Sequence, residues 1–170
     1  MQIVFPDFKV IVKKYNHGFV LGKFMPLHTG HIYLLETAQS QCEKLTILVC
    51  TQPGDPIAGS IRYDWIRKQF PKADAVHHHV LLPRDQTQSA FWNIWKESIE
   101  KHCQGRKFEV VFSSESYGQR LADDWNVEHV EVDSKRIKYP ISGTAIRNNP
   151  SAYKEFIPEI VKPYYKAYLR

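Results

Sequence analysis

Residues 19–51 read FVLGKFMPLHTGHIYLLETAQSQCEKLTILVCT, and the spacing of apolar side chains changes character twice inside this stretch. Residues 19–22 form a short apolar run, and residues 44–51 (KLTILVCT) form a second, rich in β-branched side chains and closed by Pro53-Gly54. Runs of this length bounded by turn residues read as buried strands. Between them His31, Leu34, Leu35 and Ala38 recur at helical spacing, so 29–42 reads as an amphipathic helix. Strand, helix and strand in this order make one β-α-β unit, with parallel strands and a right-handed crossover.

The alternation continues outward. Ser60 is placed to cap a second helix, with Ile61, Trp65, Ile66 and Phe70 on one face and Pro71 as its stop. A strand over 75–82, a helix over 88–102 with its stripe of Phe91, Ile94, Trp95, Ser98 and Ile99, and a strand over 109–113 (EVVFS) follow. Residues 117–125 and 128–132 repeat helix and strand. The pattern predicts an α/β fold: a doubly wound, mostly parallel five-stranded sheet covered on both faces. The tail, 150–170, is rich in aromatics and reads as short helical stretches broken by Pro158 and Pro163, packed back onto the sheet.

A chain of 170 residues with average apolar and charged content is the size of one domain, so 1–170 reads as a single unit, neither disordered nor fibrous. No apolar run reaches the ~18 residues that span a bilayer, and the first residues lack a signal-peptide pattern, so a cytoplasmic protein is expected. Cys42, Cys50 and Cys103 contain no CxxC pair, which speaks against a disulfide framework or a zinc knuckle. A formal charge of +5 suits nucleic acid, a membrane surface or a polyphosphate small molecule equally.

In doubly wound folds ligands lie outside the carboxyl ends of the strands, so the loops that follow strands matter most. The first, GKFMPLHTGH over 22–31, runs straight from strand into helix. Gly22 and Gly30 let backbone approach a ligand, the helix start offers free N–H groups to an anion, and Lys23 adds charge. His28 and His31, three residues apart, suit donors to one phosphate; a metal pair or two surface histidines would read the same way. The second, ISGTAIR over 141–147, places Ser142 as an N-cap, with Thr144 and the Arg147 fork as further donors. Alone it also describes an ordinary capped surface helix.

Together the two stretches match the paired signatures GxFxPxHxGH and ISxTxxR of the nucleotidyltransferases, and the pairing is far more specific than either motif. Within that superfamily the chain most resembles the nicotinamide mononucleotide (NMN) adenylyltransferase domain of NadR-type proteins, and more distantly the archaeal NMN adenylyltransferases. The resemblance runs from about residue 18 to 168, through AGSIRYDWIRKQFP, VFSSESYG, VDSKRIKYPISGTAIR and FIPEIVKPYY, and leaves out positions 1–17. It implies a Rossmann-like nucleotidyltransferase fold and transfer of AMP from ATP to NMN, giving NAD and pyrophosphate. The resemblance also implies Mg²⁺ carried with ATP.

Carried over residue by residue, the resemblance makes His28, His31, Arg147 and Lys23 the catalytic candidates. His31 would stabilise the reacting α-phosphate. Lys23 stands where this loop often has arginine, keeping the charge and losing the bidentate fork. ATP would be held by Gly22, Lys23, Phe24, His28, Gly30 and His31, by Ser142, Thr144 and Arg147 at the β- and γ-phosphates, and by Ser113, Ser114 and Tyr117 near the adenosine. The acceptor would meet Phe24, Arg62, Asp85 and Trp92, the last stacking on the nicotinamide ring with a carboxylate near its positive charge. For Arg62 the competing role is a charge on the solvated side of a helix; for Trp92 it is core packing, with Trp95 a rival.

The expected partners are therefore ATP and NMN, without nucleic acid or membrane; the superfamily often forms symmetric oligomers, so the resemblance leaves room for a homo-oligomer that the sequence itself does not mark. Nicotinate mononucleotide or phosphopantetheine as acceptor, a non-catalytic nucleotide sensor, and a basic RNA-binding domain are the alternatives. His77, His78 and His79 do not read as a metal site, because on a strand only the outer two share a face. Tyr153, Phe156, Tyr164, Tyr165 and Tyr168 read as packing groups. Neither the GxxxxGK[ST] loop nor the helix-turn-helix found in some NadR-type proteins is present in these residues.

Overall fold

A computed structural model describes residues 13–85 and 87–169. Five strands, β1 (Tyr15–Gly22), β2 (Cys42–Thr51), β3 (Asp74–His79), β4 (Val110–Ser113) and β5 (Glu128–Glu131), lie in the order β3-β2-β1-β4-β5. All four pairings are parallel, and Phe19 in β1 sits opposite both Thr46 of β2 and Val111 of β4. The helices between them are α1 (Thr29–Gln41), α2 (Gly59–Gln69), α3 (Phe91–His102) and α4 (Tyr117–Trp125), with a short α5 (Gly143–Asn148) after β5. Strand order reverses between β1 and β4, so a crevice opens there at the carboxyl edge.

The period of two along the strands decides which side each residue feeds. Val20, Ile47 and Val49 meet Leu35 of α1, Ile66 of α2 and Ile146 of α5 in one core. Phe19, Leu48 and Cys50 meet Ile99 of α3 and Leu121 of α4 in the other. Ile157, Val161 and Tyr165 bring the tail into the first core.

Some expectations change. β1 begins at Tyr15 rather than at residue 19, and Gly18 inside it has no room for a side chain: a Cβ there would lie 2.4 Å from the Cys42 Sγ. α2 starts at Gly59, so Ser60 lies in its first turn and does not cap it; the cap position is Ala58, with no side-chain bond. Close packing sets that boundary, since a Cβ on Gly59 would lie 2.6 Å from the Thr51 Oγ1 at the end of β2. β3 stops at His79, opposite the last residue of β2, and not at residue 82. The tail holds two 3-10 turns, Lys154–Phe156 and Lys162–Tyr165, in place of α-helical stretches, and Pro163 sits inside the second, where a missing N–H costs nothing. Tyr165 is buried as packing, whereas Tyr164 and Tyr168 remain largely exposed.

The three histidines of β3 divide as strand geometry requires. His77 Nε2 and His79 Nδ1 both bond the Thr51 hydroxyl, at 3.0 and 2.7 Å. His78 points the other way, fully buried, with Nε2 2.8 Å from the Ser98 Oγ and Nδ1 without a partner. Burial pushes His78 down to about 4, so the ring is neutral in the fold. The unfolded ring takes up a proton near pH 6.5 and the folded one does not, so stability is full above that pH and falls as pH drops towards 4. Denaturant titrations are expected to show a loss on the order of 1 to 2 kcal/mol from this ring between pH 7 and 5, and a shallower slope in His78→Leu. Cys42, Cys50 and Cys103 are free and buried, and burial raises Cys50 to about 12 and the other two to about 11.

Candidate active site

The loop after β1 is built around Phe24. Its backbone takes a positive φ of 46°, its ring is 1% exposed, and it packs edge-on against His31 at 5.1 Å between centroids. A Cβ on Gly22 would strike that ring at 2.7 Å, which is why glycine precedes Lys23. Phe24 thus supports the imidazole from behind, and its buried ring corrects the expectation that it faces a substrate.

His28 caps α1. Its Nδ1 accepts from the His31 backbone N–H at 3.4 Å, so the neutral ring carries its proton on Nε2, a donor. The two imidazoles stack at 3.6 Å between centroids. Burial, reinforced by the Arg136 charge, pushes His28 down to about 4, and burial with the charges of His28 and Arg136 holds His31 well below the usual histidine value. Both rings are neutral donors at pH 7. The Thr29 Oγ1 and the His31 Nδ1 are buried at this helix start with no hydrogen-bond partner within the protein.

ISGTAIR folds against this loop. Ser142 caps α5 by accepting from the Ala145 N–H at 3.1 Å, and Ile141 and Ile146 anchor it in the first core. Gly143 lies so close to the loop that a Cβ would meet the Met25 carbonyl oxygen at 2.4 Å. Arg147 donates through Nη1 to that same carbonyl and through Nη2 to the Thr144 Oγ1 at 3.2 Å. The two motifs, far apart in sequence, therefore form one surface that holds His28, His31, Ser142, Thr144 and Arg147. Lys23 is exposed beside them.

Arg62 is the main correction. It is 0% exposed and four of its five hydrogens are engaged: Nε on the Ile57 carbonyl (3.0 Å), Nη1 on the carbonyls of Lys23 (2.7 Å) and Cys50 (3.3 Å), and Nη2 on Asp55 at 2.6 Å. It clamps the loops after β1 and β2 to each other and is fully buried beneath them, out of reach of a substrate, so it is a positioning residue. Ser113, Ser114 and Tyr117 likewise use their hydroxyls within the protein, on the carbonyls of Glu115 (2.8 Å), Val132 (2.6 Å) and Leu21 (3.0 Å).

Asp85 and Trp92 are not paired. The Asp85 carboxylate is exposed and closes a turn with Thr87. The Trp92 ring packs against the second core, with the Arg120 guanidinium 4.5 Å from its centroid and its N–H on Asp124 at 2.6 Å. A pyridinium would have to displace one cation to stack there. Packing, the competing role, is what this geometry favours, and Trp95 is also engaged, on the Pro83 carbonyl at 3.0 Å.

One further residue escapes the sequence reading. Arg136, ion-paired to Glu115 at 3.1 Å, stands near enough for its charge to help hold both imidazoles neutral. The available signal was a basic pair, Lys135-Arg136, shortly before ISGTAIR and after Asp133.

A parallel sheet reversing at β1 and β4, with a helix start and a second motif docked on it at the carboxyl edge, is a Rossmann-like doubly wound fold with its candidate site at the switch point. No family model matches the chain. The trifunctional NAD biosynthesis/regulator protein NadR of Escherichia coli K12 is 31% identical over 173 residues, covering 90% of this chain and 41% of that protein. The nicotinamide-nucleotide adenylyltransferase of Thermococcus onnurineus is 26% identical, covering 89% of this chain and 82% of that one. Among solved structures, a NadR protein in complex with NAD and AMP-PNP superposes with a TM-score of 0.62 at 18% identity over 89% of this chain and 47% of that one. A Francisella tularensis bifunctional NMN adenylyltransferase/ADP ribose pyrophosphatase, complexed with AMP and a Mn ion, gives 0.59 at 16% over 87% and 46%. At these identities the structures establish the fold. In sequence the chain is thus similar both to part of NadR proteins and to most of the length of archaeal nicotinamide-nucleotide adenylyltransferases. It spans 41% of the length of the E. coli NadR relative.

Among the described residues no helix is long and apolar enough to cross a membrane.

Proposed function

We propose that this chain is an NMN adenylyltransferase, transferring AMP from ATP to NMN. The observation that carries the reading is the docking of ISGTAIR on GKFMPLHTGH through Gly143, Met25 and Arg147, which gathers the phosphate donors at the start of α1. The NMN phosphate oxygen attacks the α-phosphorus of ATP, a P–O bond forms, and the bond to the bridging oxygen breaks as pyrophosphate leaves. Positioning and charge stabilisation supply the catalysis. The Nε2–H of His28 and the ring of His31 donate to the α- and β-phosphates; Ser142, Thr144, Arg147 and Lys23 hold the departing pyrophosphate.

Among the described residues no three His, Cys, Asp or Glu side chains converge as metal ligands, so Mg²⁺ fits as part of the Mg·ATP substrate, held by phosphate oxygens and water. The three buried free thiols suit a reducing, cytoplasmic setting. The acceptor is inferred from the relatives named as nicotinamide-nucleotide adenylyltransferases.

Offering NMN, nicotinate mononucleotide and phosphopantetheine separately with Mg·ATP tests this, with NAD from NMN expected to lead. Product from another acceptor would keep the chemistry and reject NMN; no product from any would favour a sensor. Since Arg120 and Asp124 engage Trp92, Trp92→Ala is expected to change KM for NMN and ATP by similar factors. A rise confined to NMN would return the indole to the acceptor site.

A further inference from the structure

The loop between β5 and α5 is built to hold one guanidinium. The Asp133 carboxylate accepts from three successive backbone N–H groups, those of Ile137 (2.8 Å), Lys138 (3.0 Å) and Tyr139 (3.0 Å), and the Arg136 N–H closes on the Asp133 carbonyl at 2.8 Å. Asp133 and Arg136 both take positive φ, 49° and 51°, a region that side chains other than glycine enter only when their surroundings hold them there. The loop rests on the start of α1. Lys138 Nζ lies 3.9 Å from the centroid of the Tyr33 ring, and a Cβ on Gly30 would come within 3.5 Å of Tyr139. Arg136 is thereby fixed where its charge acts on both His28 and His31.

Its partner is fixed as firmly. Glu115 stands in the loop after β4, with its carbonyl held by the Ser113 hydroxyl at 2.8 Å and the Gly118 N–H at 3.1 Å. The Ser114 hydroxyl ties this loop to the Val132 carbonyl, next to Asp133, at 2.6 Å. Between two anchored loops the Arg136–Glu115 ion pair is itself half-exposed, at 46% and 52%. A pair of that exposure is weak and readily exchanged for a more highly charged anion.

We propose that Glu115 holds Arg136 in the free protein as a stand-in for phosphate, and that the guanidinium exchanges this carboxylate for the phosphates of ATP when the nucleotide enters. This rests on the adenylyl-transfer reading. Arg136 then supplies the formal cation beside two neutral imidazoles, and Glu115, released, becomes a competitor that sets nucleotide affinity.

Calorimetric binding of Mg·AMP-PNP to the whole chain tests the exchange with Arg136→Ala, Glu115→Gln and the double variant. Arg136→Ala is expected to weaken binding about tenfold, as for loss of a charge-assisted bond. Glu115→Gln is expected to tighten it ~2- to 5-fold, and to do nothing once Arg136 is gone. If Arg136→Ala does not fold, Arg136→Lys, which keeps the charge and loses the fork, is expected to weaken binding by a smaller factor. Unchanged binding in the Arg136 variants, or equal tightening by Glu115→Gln with and without Arg136, would overturn the proposal. Wild-type protein that binds no AMP-PNP would instead overturn the adenylyl-transfer reading on which it depends.

Discussion

His31→Ala is expected to lower kcat at least ~100-fold, the range seen when one preorganised donor to developing transition-state charge is removed. The imidazole is held on three sides, by the ring of Phe24, the stacked ring of His28 and the first turn of α1. Its orientation is set before any substrate arrives, and a donor that does not reorganise during reaction is worth most. Because burial holds the ring neutral, the contribution expected of it is a directed hydrogen bond, with formal charge expected from Lys23, Arg147 and, on the exchange proposed above, Arg136. Steady-state pyrophosphate release at saturating ATP reads the effect. A fall of less than tenfold would move His31 away from the reacting phosphate.

Arg62→Met is expected to cost about 3 to 5 kcal/mol of stability, the penalty for stranding a buried charge. The Asp55 carboxylate, 9% exposed, would lose its fully buried partner, and three carbonyls would lose their donor. Burial by itself would raise the Asp55 carboxyl; the Gln52 N–H and the Arg62 guanidinium outweigh it and hold it below the usual carboxylate value. A lowered carboxylate contributes stability that is present above the unfolded value of 3.8 and is lost as pH falls through the folded one. Urea denaturation at pH 7 measures the variant, and its deficit should shrink in strong acid. A loss below about 1 kcal/mol would mean that the clamp is not intact in solution. Activity should fall with it, since the clamp fixes the Lys23 carbonyl and hence the loop that carries Phe24.

Arg62 also shows where sequence reading stops. Helical spacing and short β-branched runs were enough to place β2, α1, α4 and the strand alternation, because each of those elements buries one periodic face. A guanidinium in the first turn of α2 reads as solvated or functional from spacing alone. That it turns inward depends on carbonyls from residues 23, 50 and 57 and on Asp55, which meet only in three dimensions. The start of α2 differs from the sequence expectation for a related reason: Ser60 is a good cap by type, yet Ala58 takes the cap position, two residues earlier, where Gly59 packs against Thr51.

The phosphate motifs were legible because their chemistry is local. His28 caps and stacks on His31 within one helix start, and Ser142 caps α5 within four residues. Their union was not local. It rests on Gly143 approaching Met25, and on Arg147 reaching the same carbonyl. Arg136 was hidden because no periodicity marks it; its position comes from three backbone bonds to Asp133 and two residues in left-handed conformation. Trp92 was read for its chemical fitness towards a pyridinium, and the packing of α3 on α4 supplied competing partners that sequence does not display.

The most direct test of adenylyl transfer follows the α-phosphorus itself. With ATP labelled at that phosphorus, Mg²⁺, NMN and purified protein, the label is expected to move into NAD one-for-one with unlabelled pyrophosphate. Label that stays in ATP, or leaves it only as free AMP or ADP while NMN is untouched, would contradict the account.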